Sequence, residues 1–259
     1  MTLTFKDTSI FYEVSGKGKP VVLLHGFLES SKIWKDLIPY FSEKHKVIII
    51  DLLGHGKSGV MAEIHSMELM AEAVVSILVD LQIESAIFLG HSLGGYVTLA
   101  LAEIFPEKVE KIILLNSSPA EDSKERKINR DRAIKIVNKV PEAFISMGIN
   151  NLFAESTREL YIERIEELKN EALTFPILGI TAAMKGMKKR KDRVEMLKNF
   201  NKPKIMICGI DDPVIPLNES KALSEETGCE LICLDGGHMS WLENHNFLTT
   251  RTLIEKKCS

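Results

Sequence analysis

The sequence lacks any apolar run that approaches the ~18 residues of a membrane-spanning helix. It also lacks an excess of charge of one sign, because 33 Lys and Arg residues stand against 36 Asp and Glu residues, a formal net charge of −3. Such a balance gives no electrostatic reason to bind nucleic acid or an anionic membrane surface. The first residues have no signal-peptide layout, and no repeat or low-complexity tract is present. We therefore expect neither a nucleic-acid partner nor a membrane span.

Cysteine is scarce, with four residues and no C-x-x-C pair. Because Cys208 and Cys233 stand in apolar, strand-like runs, we expect buried free thiols in a protein of the reducing cytoplasm. Hydrophobic residues make up 45% of the 259 residues, enough for one large α/β domain or two small ones.

Short apolar runs typical of buried strands alternate with helical periodicity. The predicted strands are residues 2–5, 10–14, 20–24, 46–51, 86–89, 109–116, 204–209 and 230–234. This alternation predicts a mostly parallel sheet with right-handed crossovers, in which ligands bind at the carboxyl ends of the strands.

A G-x-S-x-G turn, Gly90 to Gly94, lies between a predicted buried strand and a predicted helix over residues 93–104. In that context the central Ser92 occupies a strained turn that holds its hydroxyl beyond the sheet. The backbone N–H of Leu93, at the helix N-terminus, then points toward developing negative charge. Without that context the pattern would indicate only a glycine-rich turn with an idle serine.

A second loop follows the strand at residues 20–24 and reads His25-Gly26-Phe27. We interpret it as an oxyanion loop in which the N–H of Phe27 converges with that of Leu93; the alternative is a plain strand-to-loop turn. Asp51 ends the next strand. An acid there usually ties down its own loop, so we favour a structural role for Asp51 over a catalytic one.

Residues 117–202 interrupt the strand–helix alternation and are rich in helix formers. The segment is too long for an ordinary connection, and its predicted helices span residues 124–139, 142–153, 157–174, 177–189 and 193–200. We interpret it as a helical cap over the strand ends. Its candidate pocket residues, each of which could instead only pack the cap on the body, are Phe144, Met147, Phe153, Phe175, Met184 and Met187. The six basic residues between Lys185 and Arg193 favour a solvated helix face over an anion site.

An acid and a histidine follow the last two strands: Asp211-Asp212 after residues 204–209, and His238 after residues 230–234. A serine needs an imidazole to take its proton, and the imidazole needs a carboxylate to orient it. We predict Asp212 as the acid, because it precedes Pro213 and is thereby restrained toward extended backbone. His91 and His245 are weaker candidates for the base. A closing helix is predicted from residue 241 to residue 256.

The sequence resembles the α/β-hydrolase superfamily along nearly its whole length, in His25-Gly26-Phe27, the loop from Asp51 to Ser58, Gly90 to Gly95, the loop from Gly209 to Pro216, and Gly237-His238. The resemblance implies an eight-stranded, mostly parallel sheet with an antiparallel edge near the N-terminus. Residues 1–116 and 203–259 would form the core, and residues 117–202 the inserted cap. It also implies Ser92, Asp212 and His238 as catalytic residues, the amides of Phe27 and Leu93 as the oxyanion hole, and no metal or organic cofactor.

The closest resemblance is to capped esterases and lactonases, and a serine at position 92, where dehalogenases and epoxide hydrolases of this fold have aspartate, argues against those two activities. We expect a serine hydrolase that cleaves an ester, lactone or thioester of a small, fairly apolar acid. Two alternatives stay open: the same triad used for C–C bond cleavage or elimination, and a small-ligand receptor with slow or no turnover. No sequence feature specifies an oligomeric state.

Overall fold

Eight strands form one sheet in the computed structural model, which describes residues 1–244 and 256–258. Their order across the sheet is β1-β2-β4-β3-β5-β6-β7-β8. The strands are β1 (Thr2–Phe5), β2 (Thr8–Ser15), β3 (Lys19–Leu24), β4 (His45–Ile50), β5 (Ala86–His91), β6 (Val109–Leu115), β7 (Lys204–Gly209) and β8 (Glu230–Leu234). The first two are antiparallel to their neighbours, and β4, β3, β5, β6, β7 and β8 run parallel. The predicted sheet and its antiparallel N-terminal edge are confirmed.

The central strands consist of residues that suit burial on both faces. All six residues of β5 are buried, as are the last four of β3 and of β4. Helices cover both faces of such a sheet, so its strands read as continuous apolar runs instead of alternating ones. Every one of the parallel strands ends toward the same edge, and the loops at that edge carry His25, Ser92, Asn116, Asp212 and His238.

The helices are α1 (Ile38–Phe41), α2 (Met67–Asp80), α3 (Leu93–Ile104), α4 (Lys124–Val137), α5 (Pro141–Asn150), α6 (Ile162–Ala172), α7 (Ile177–Lys189), α8 (Val194–Lys198), α9 (Leu217–Thr227) and α10 (Ser240–Glu243), with 3₁₀ turns at Ser31–Trp34 and Pro106–Lys108. Helix α3 packs against α2 and against β5. Ten of its residues are buried, which matches its position against the sheet. Within the described residues no helix has the length and apolarity to cross a bilayer.

Five helices, α4 to α8, occupy the segment between β6 and β7. Helix α4 packs against α5 and α7, and α5 packs against α6. The side chain of Ser123 caps the start of α4 by accepting a hydrogen bond from the N–H of Arg126. Helix α7 has the predicted bounds, whereas α6 begins five residues later than predicted, because residues 157–161 form turns.

Two expectations about side-chain environment are wrong in part. Cys233 is exposed, because it lies on the edge strand β8, while Cys208, Cys229 and Cys258 are buried. The basic segment is not simply a solvated face. Arg190 and Arg193 are buried in ion pairs, Arg190 with Asp122 and Arg193 with two glutamates. The predicted closing helix begins as α10, but residues 245–255 lie outside the described residues.

Candidate active site

Ser92 occupies the turn between β5 and α3 in a left-handed backbone conformation, with φ 48° and ψ −113°. A non-glycine residue there is strained, and the strain persists only where neighbours enforce it. The adjacent glycines do so: a Cβ on Gly90 would lie 2.4 Å from the carbonyl oxygen of Gly94, and one on Gly94 would lie 2.2 Å from that of Leu24. Ser92 is itself partly exposed at the end of the sheet.

His238 and Asp212 meet at the same edge of the sheet. The Nδ1 of His238 lies 2.8 Å from Oδ2 of Asp212, and both side chains are buried. Burial alone would raise the pKa of the Asp212 carboxyl, but His238 and Asn116 hold it below its usual value. Since Asp212 fixes the proton on Nδ1, Nε2 is left as the basic nitrogen of the ring. Nε2 is buried and has no hydrogen-bond partner within the described part of the chain.

Only one of the two adjacent acids points toward the imidazole. Oδ1 of Asp212 accepts hydrogen bonds from the backbone N–H groups of Val214 and Ile215 at 2.7 and 2.9 Å. These bonds fix the carboxylate over its own turn. Asp211 is exposed, and its N–H donates to the carbonyl of Gly236. The geometry therefore brings Asp212 and not Asp211 to His238.

The loop after β3 carries Phe27, and its Gly26 packs against His91, the neighbour of Ser92 in sequence. Gly26 has no room for a side chain, because a Cβ would lie 2.7 Å from Oε1 of Glu29 and 2.8 Å from Nδ1 of His91. Among residues 1–244 and 256–258, no acceptor binds the N–H of Phe27 or of Leu93. Both donors are thus available for a ligand oxygen.

Sequence patterns did not predict the role of Asn116, whose amide binds Asp212. Asn116, just past β6, donates through Nδ2 to Oδ2 of Asp212 at 3.0 Å and to the carbonyl of Gly237 at 3.2 Å, and its Oδ1 accepts from the hydroxyl of Ser240. Asn116 has a φ of 45°, a left-handed conformation that asparagine tolerates better than most residues. Its place at a strand end was the available signal, but its partners lie on distant loops.

The buried Glu243 binds both the loop that carries His238 and the segment between β6 and β7. Oε1 of Glu243 accepts from the N–H of Gly237 at 2.9 Å, and its Oε2 accepts from the N–H of Ala154 at 2.8 Å and from the hydroxyl of Thr157. Because one carboxylate serves both segments, movement of residues 154–157 would be transmitted to the loop that carries His238.

His91 is fully buried and hydrogen-bonds to two other loops. Its Nδ1 lies 3.0 Å from Oε2 of Glu29, and its Nε2 lies 3.0 Å from the carbonyl oxygen of His238. The same Glu29 oxygen accepts from the N–H of Gly26 at 2.7 Å. Burial would lower the pKa of His91, but the Glu29 charge and the hydrogen bonds raise it. His91 thus joins the loop of Gly26 and Phe27, through Glu29, to the loop that carries His238, as a donor at both nitrogens.

A cavity of about 440 Å³ opens beside Phe27; we call it the Phe27 cavity. Of the predicted pocket residues, Phe144 and Met184 line it. Met147 does not and is 55% exposed, because Ile145 and Ile149 take the inward face of α5 and Met147 lies opposite.

The remaining predicted pocket residues lie elsewhere. Phe153 is buried, packs against Tyr161 and lines a separate crevice that contains Asp211. Phe175 packs against His55 and borders another pocket, and Met187 is buried in the core. None of these three residues lines the Phe27 cavity.

The structure describes one of the two alternative candidates, Asp51. Asp51 is buried and accepts hydrogen bonds from the N–H groups of Ser31 and Lys57, the loop-holding role that we favoured. His245 lies outside the described residues. Within the described residues, no group of three or more His, Cys, Asp or Glu side chains is arranged to hold a metal ion.

Comparison with known proteins bears on this geometry. The model of the alpha/beta hydrolase fold family matches residues 19–245, most of the chain. The chain belongs to the α/β-hydrolase family. The suspected superfamily is thereby confirmed, together with the serine-hydrolase class of enzyme that its esterase and lactonase relatives share.

Three relatives illustrate the range of this α/β-hydrolase family. A solved thermophilic esterase from Thermogutta terrifontis, with malate bound, is 28% identical, has a TM-score of 0.91 and covers 99% of this chain and 98% of its own. The 3-oxoadipate enol-lactonase 2 of Acinetobacter baylyi is 25% identical over 93% of this chain and 91% of its own. The karrikin insensitive 2 receptor IA of Petunia hybrida is 40% identical, but over only 42% of each chain.

Proposed function

We propose that the protein hydrolyses esters, lactones or thioesters of small, fairly apolar acids, with Ser92, His238 and Asp212 as its catalytic residues. The observation that carries the proposal is the state of the His238 ring: Asp212 holds Nδ1, while Nε2 is buried and has no partner within the described residues. An imidazole held in this way can act as a general base, because its unpartnered nitrogen can accept a proton.

In the proposed reaction the Ser92 oxygen attacks the carbonyl carbon as its proton passes to Nε2 of His238. The N–H groups of Phe27 and Leu93 donate to the oxyanion that forms, and the loss of one such donor typically costs about 2.7–4 kcal/mol. The imidazolium then gives its proton to the leaving group. A water molecule, deprotonated by the same nitrogen, frees the acid and regenerates Ser92.

We also propose that residues 117–202 act as a cap on a core formed by residues 1–116 and 203–259. Phe144 and Met184 from this segment face Phe27 across the cavity, which supports a role in choosing the acyl group. The Glu243 carboxylate supports a link between the proposed cap and the loop of His238, since it binds both.

The test is turnover of a graded series of p-nitrophenyl esters, from acetate to decanoate, together with matched lactones and thioesters. We expect measurable kcat/KM with a maximum among short acyl chains. Ser92→Ala should lower kcat by about 10⁴–10⁶. Ser85→Ala, a serine at the opposite end of β5 whose hydroxyl binds Glu110, is the matched control and should keep wild-type rates.

The similarity of part of the chain to a plant receptor favours one alternative, a ligand sensor with slow or no turnover. A sensor would be stabilised by its ligand against thermal unfolding while hydrolysing none of the series. Cleavage of a β-diketone without turnover of any ester would instead indicate the C–C bond chemistry. Either result would contradict the proposed hydrolase.

A further inference from the structure

One wall of the Phe27 cavity is cationic. Four of its lining residues come from α4: Arg126, Asn129, Arg130 and Ala133. Their spacing of three, four and seven residues places them on one face of the helix. Arg126 and Arg130 are partly buried on this face, whereas a helix face turned toward the protein is normally apolar.

The nearby acids do not balance the arginines. The buried Asp122 carboxylate is shared by Arg130 and Arg190. The Arg190 guanidinium also stacks over the ring of Tyr96, 4.1 Å from its centroid. The Arg126 guanidinium binds the carbonyl of Val214, and the carboxylate of Glu219 lies 3.9 Å away and is about half exposed.

Three guanidinium groups therefore face one buried carboxylate and one exposed carboxylate. None of the described residues that line the Phe27 cavity is acidic. With Arg190 at the end of α7 counted, the region around this wall thus carries one net positive charge. Guanidinium groups at such a wall are suited to bind a carboxylate, because their planar fork matches its two oxygens.

The cationic wall shares the cavity with two residues from the loops of the proposed active site, while Ser92, Asp212 and His238 are not among the lining residues. Phe27, whose N–H is a proposed oxyanion donor, and Val214, two residues past Asp212, both line it. Phe144 and Met184 supply apolar surface between them. A substrate whose carbonyl reaches Ser92 would lay a short methylene chain on the apolar surface and direct its far end toward α4.

We propose that the preferred substrate is the half-ester of a short dicarboxylic acid, and that Arg126 and Arg130 bind its free carboxylate. This inference rests on the proposed function and narrows it. The acid is apolar along its chain and anionic at its far end. The arginines act in binding and not in the chemistry at the carbonyl.

The test compares two esters of equal chain length, mono-p-nitrophenyl adipate and p-nitrophenyl hexanoate. We expect wild-type kcat/KM to be at least about tenfold higher for the adipate ester, mainly through KM. In Arg126→Gln the ratio of the two kcat/KM values should fall by about 10- to 100-fold, the range for a lost hydrogen bond to a charged group. Lys124→Gln removes the same charge from the exposed first turn of α4 and should keep the wild-type ratio.

Adipate itself gives a readout without turnover. It should raise the thermal midpoint of wild type and Lys124→Gln more than hexanoate does, and lose this effect in Arg126→Gln. Equal rates for the two esters, or equal loss of the ratio in both variants, would overturn the carboxylate site while leaving the hydrolase intact. If wild type turns over neither ester but still binds adipate, the proposed function is contradicted and the carboxylate site is not.

Discussion

The buried pair of His91 and Glu29 can be tested by replacing the histidine with leucine. His91→Leu removes the donors to Glu29 and to the carbonyl of His238 in one step. The side chain is fully buried, so no solvent replaces what is lost. Among the residues that the structure describes, Glu29 then keeps only the N–H of Gly26 as a donor.

The expected loss of stability comes mainly from the Glu29 carboxylate, which stays buried without its charged partner. Removing one partner of a buried ion pair costs about 3–5 kcal/mol. Protonation limits the loss: at 1.36 kcal/mol per pH unit, neutralising a carboxyl with an ordinary pKa near 4.3 costs about 3.7 kcal/mol at pH 7. We expect the free energy of unfolding of His91→Leu to fall by about 4 kcal/mol at pH 7.

The penalty should depend on pH. Burial would raise the pKa of Glu29, but His91 holds it low, so the stabilisation by Glu29 is present above about pH 4.3 and is lost as pH falls through its lowered folded value. The pKa of His91 is raised, so its stabilisation is complete below about pH 6.5 and is lost as pH rises through its folded value. Between pH 7 and pH 5 the unpaired Glu29 of His91→Leu becomes easier to protonate, which stabilises the variant by up to about 2.7 kcal/mol. Over the same range wild type gains about 0.8 kcal/mol of stability through protonation of His91. The penalty should therefore shrink by about 2 kcal/mol between pH 7 and pH 5.

Equilibrium unfolding in urea at both pH values measures these differences. The double variant His91→Leu/Glu29→Gln is the control for charge, because it removes the carboxylate while the amide oxygen can still accept from Gly26. At pH 7 it should recover about 2 kcal/mol of the loss, the part due to the buried charge. A penalty that is the same at both pH values, with no recovery in the double variant, would show that His91 and Glu29 do not form an ion pair.

Three further outcomes are expected from the site. Asp212→Asn should lower kcat by about 10⁴, the effect of losing the orienting carboxylate, whereas Asp211→Asn should change it by less than about tenfold; the reverse order would make Asp211 the acid. Asn116→Ala should lower kcat/KM by about 10- to 100-fold. It should also shift the acidic limb of the pH profile of kcat/KM to higher pH, since the pKa of the Asp212 carboxyl rises when this donor is lost. If the acidic limb does not move, Asn116 contributes packing only. Phe144→Ala should move the preferred p-nitrophenyl ester to longer acyl chains, with Met147→Ala as the exposed control on the same helix; equal profiles for both would remove Phe144 from the pocket.

The features that sequence could predict are local ones. The strand, turn and helix around Ser92 follow from an apolar run, two glycines and a helical period within one stretch of chain. Strand alternation then placed Asp212 and His238 at the same edge as Ser92, because parallel strands share the end at which their loops meet.

The features that escaped prediction depend on the relative rotation and packing of elements. Met147 and Phe144 lie three residues apart on α5, and periodicity could not decide which faces the cavity, since the helix has apolar residues on several sides. The partner of His91 is 62 residues away, and the Arg193 partners are 90 and 125 residues away. Such pairings arise only when loops from different parts of the chain are brought together.

Labelling with a fluorophosphonate probe tests the proposed nucleophile most directly, because the probe forms a covalent bond only with an activated serine. Intact mass spectrometry should show one adduct per wild-type chain. Mass spectrometry after digestion should locate this adduct on the peptide that contains Ser92. Ser92→Ala should remain folded and take no label, and Ser85→Ala should be labelled like wild type. Wild type without an adduct, or Ser92→Ala labelled to the same extent as wild type, would contradict Ser92 as the nucleophile.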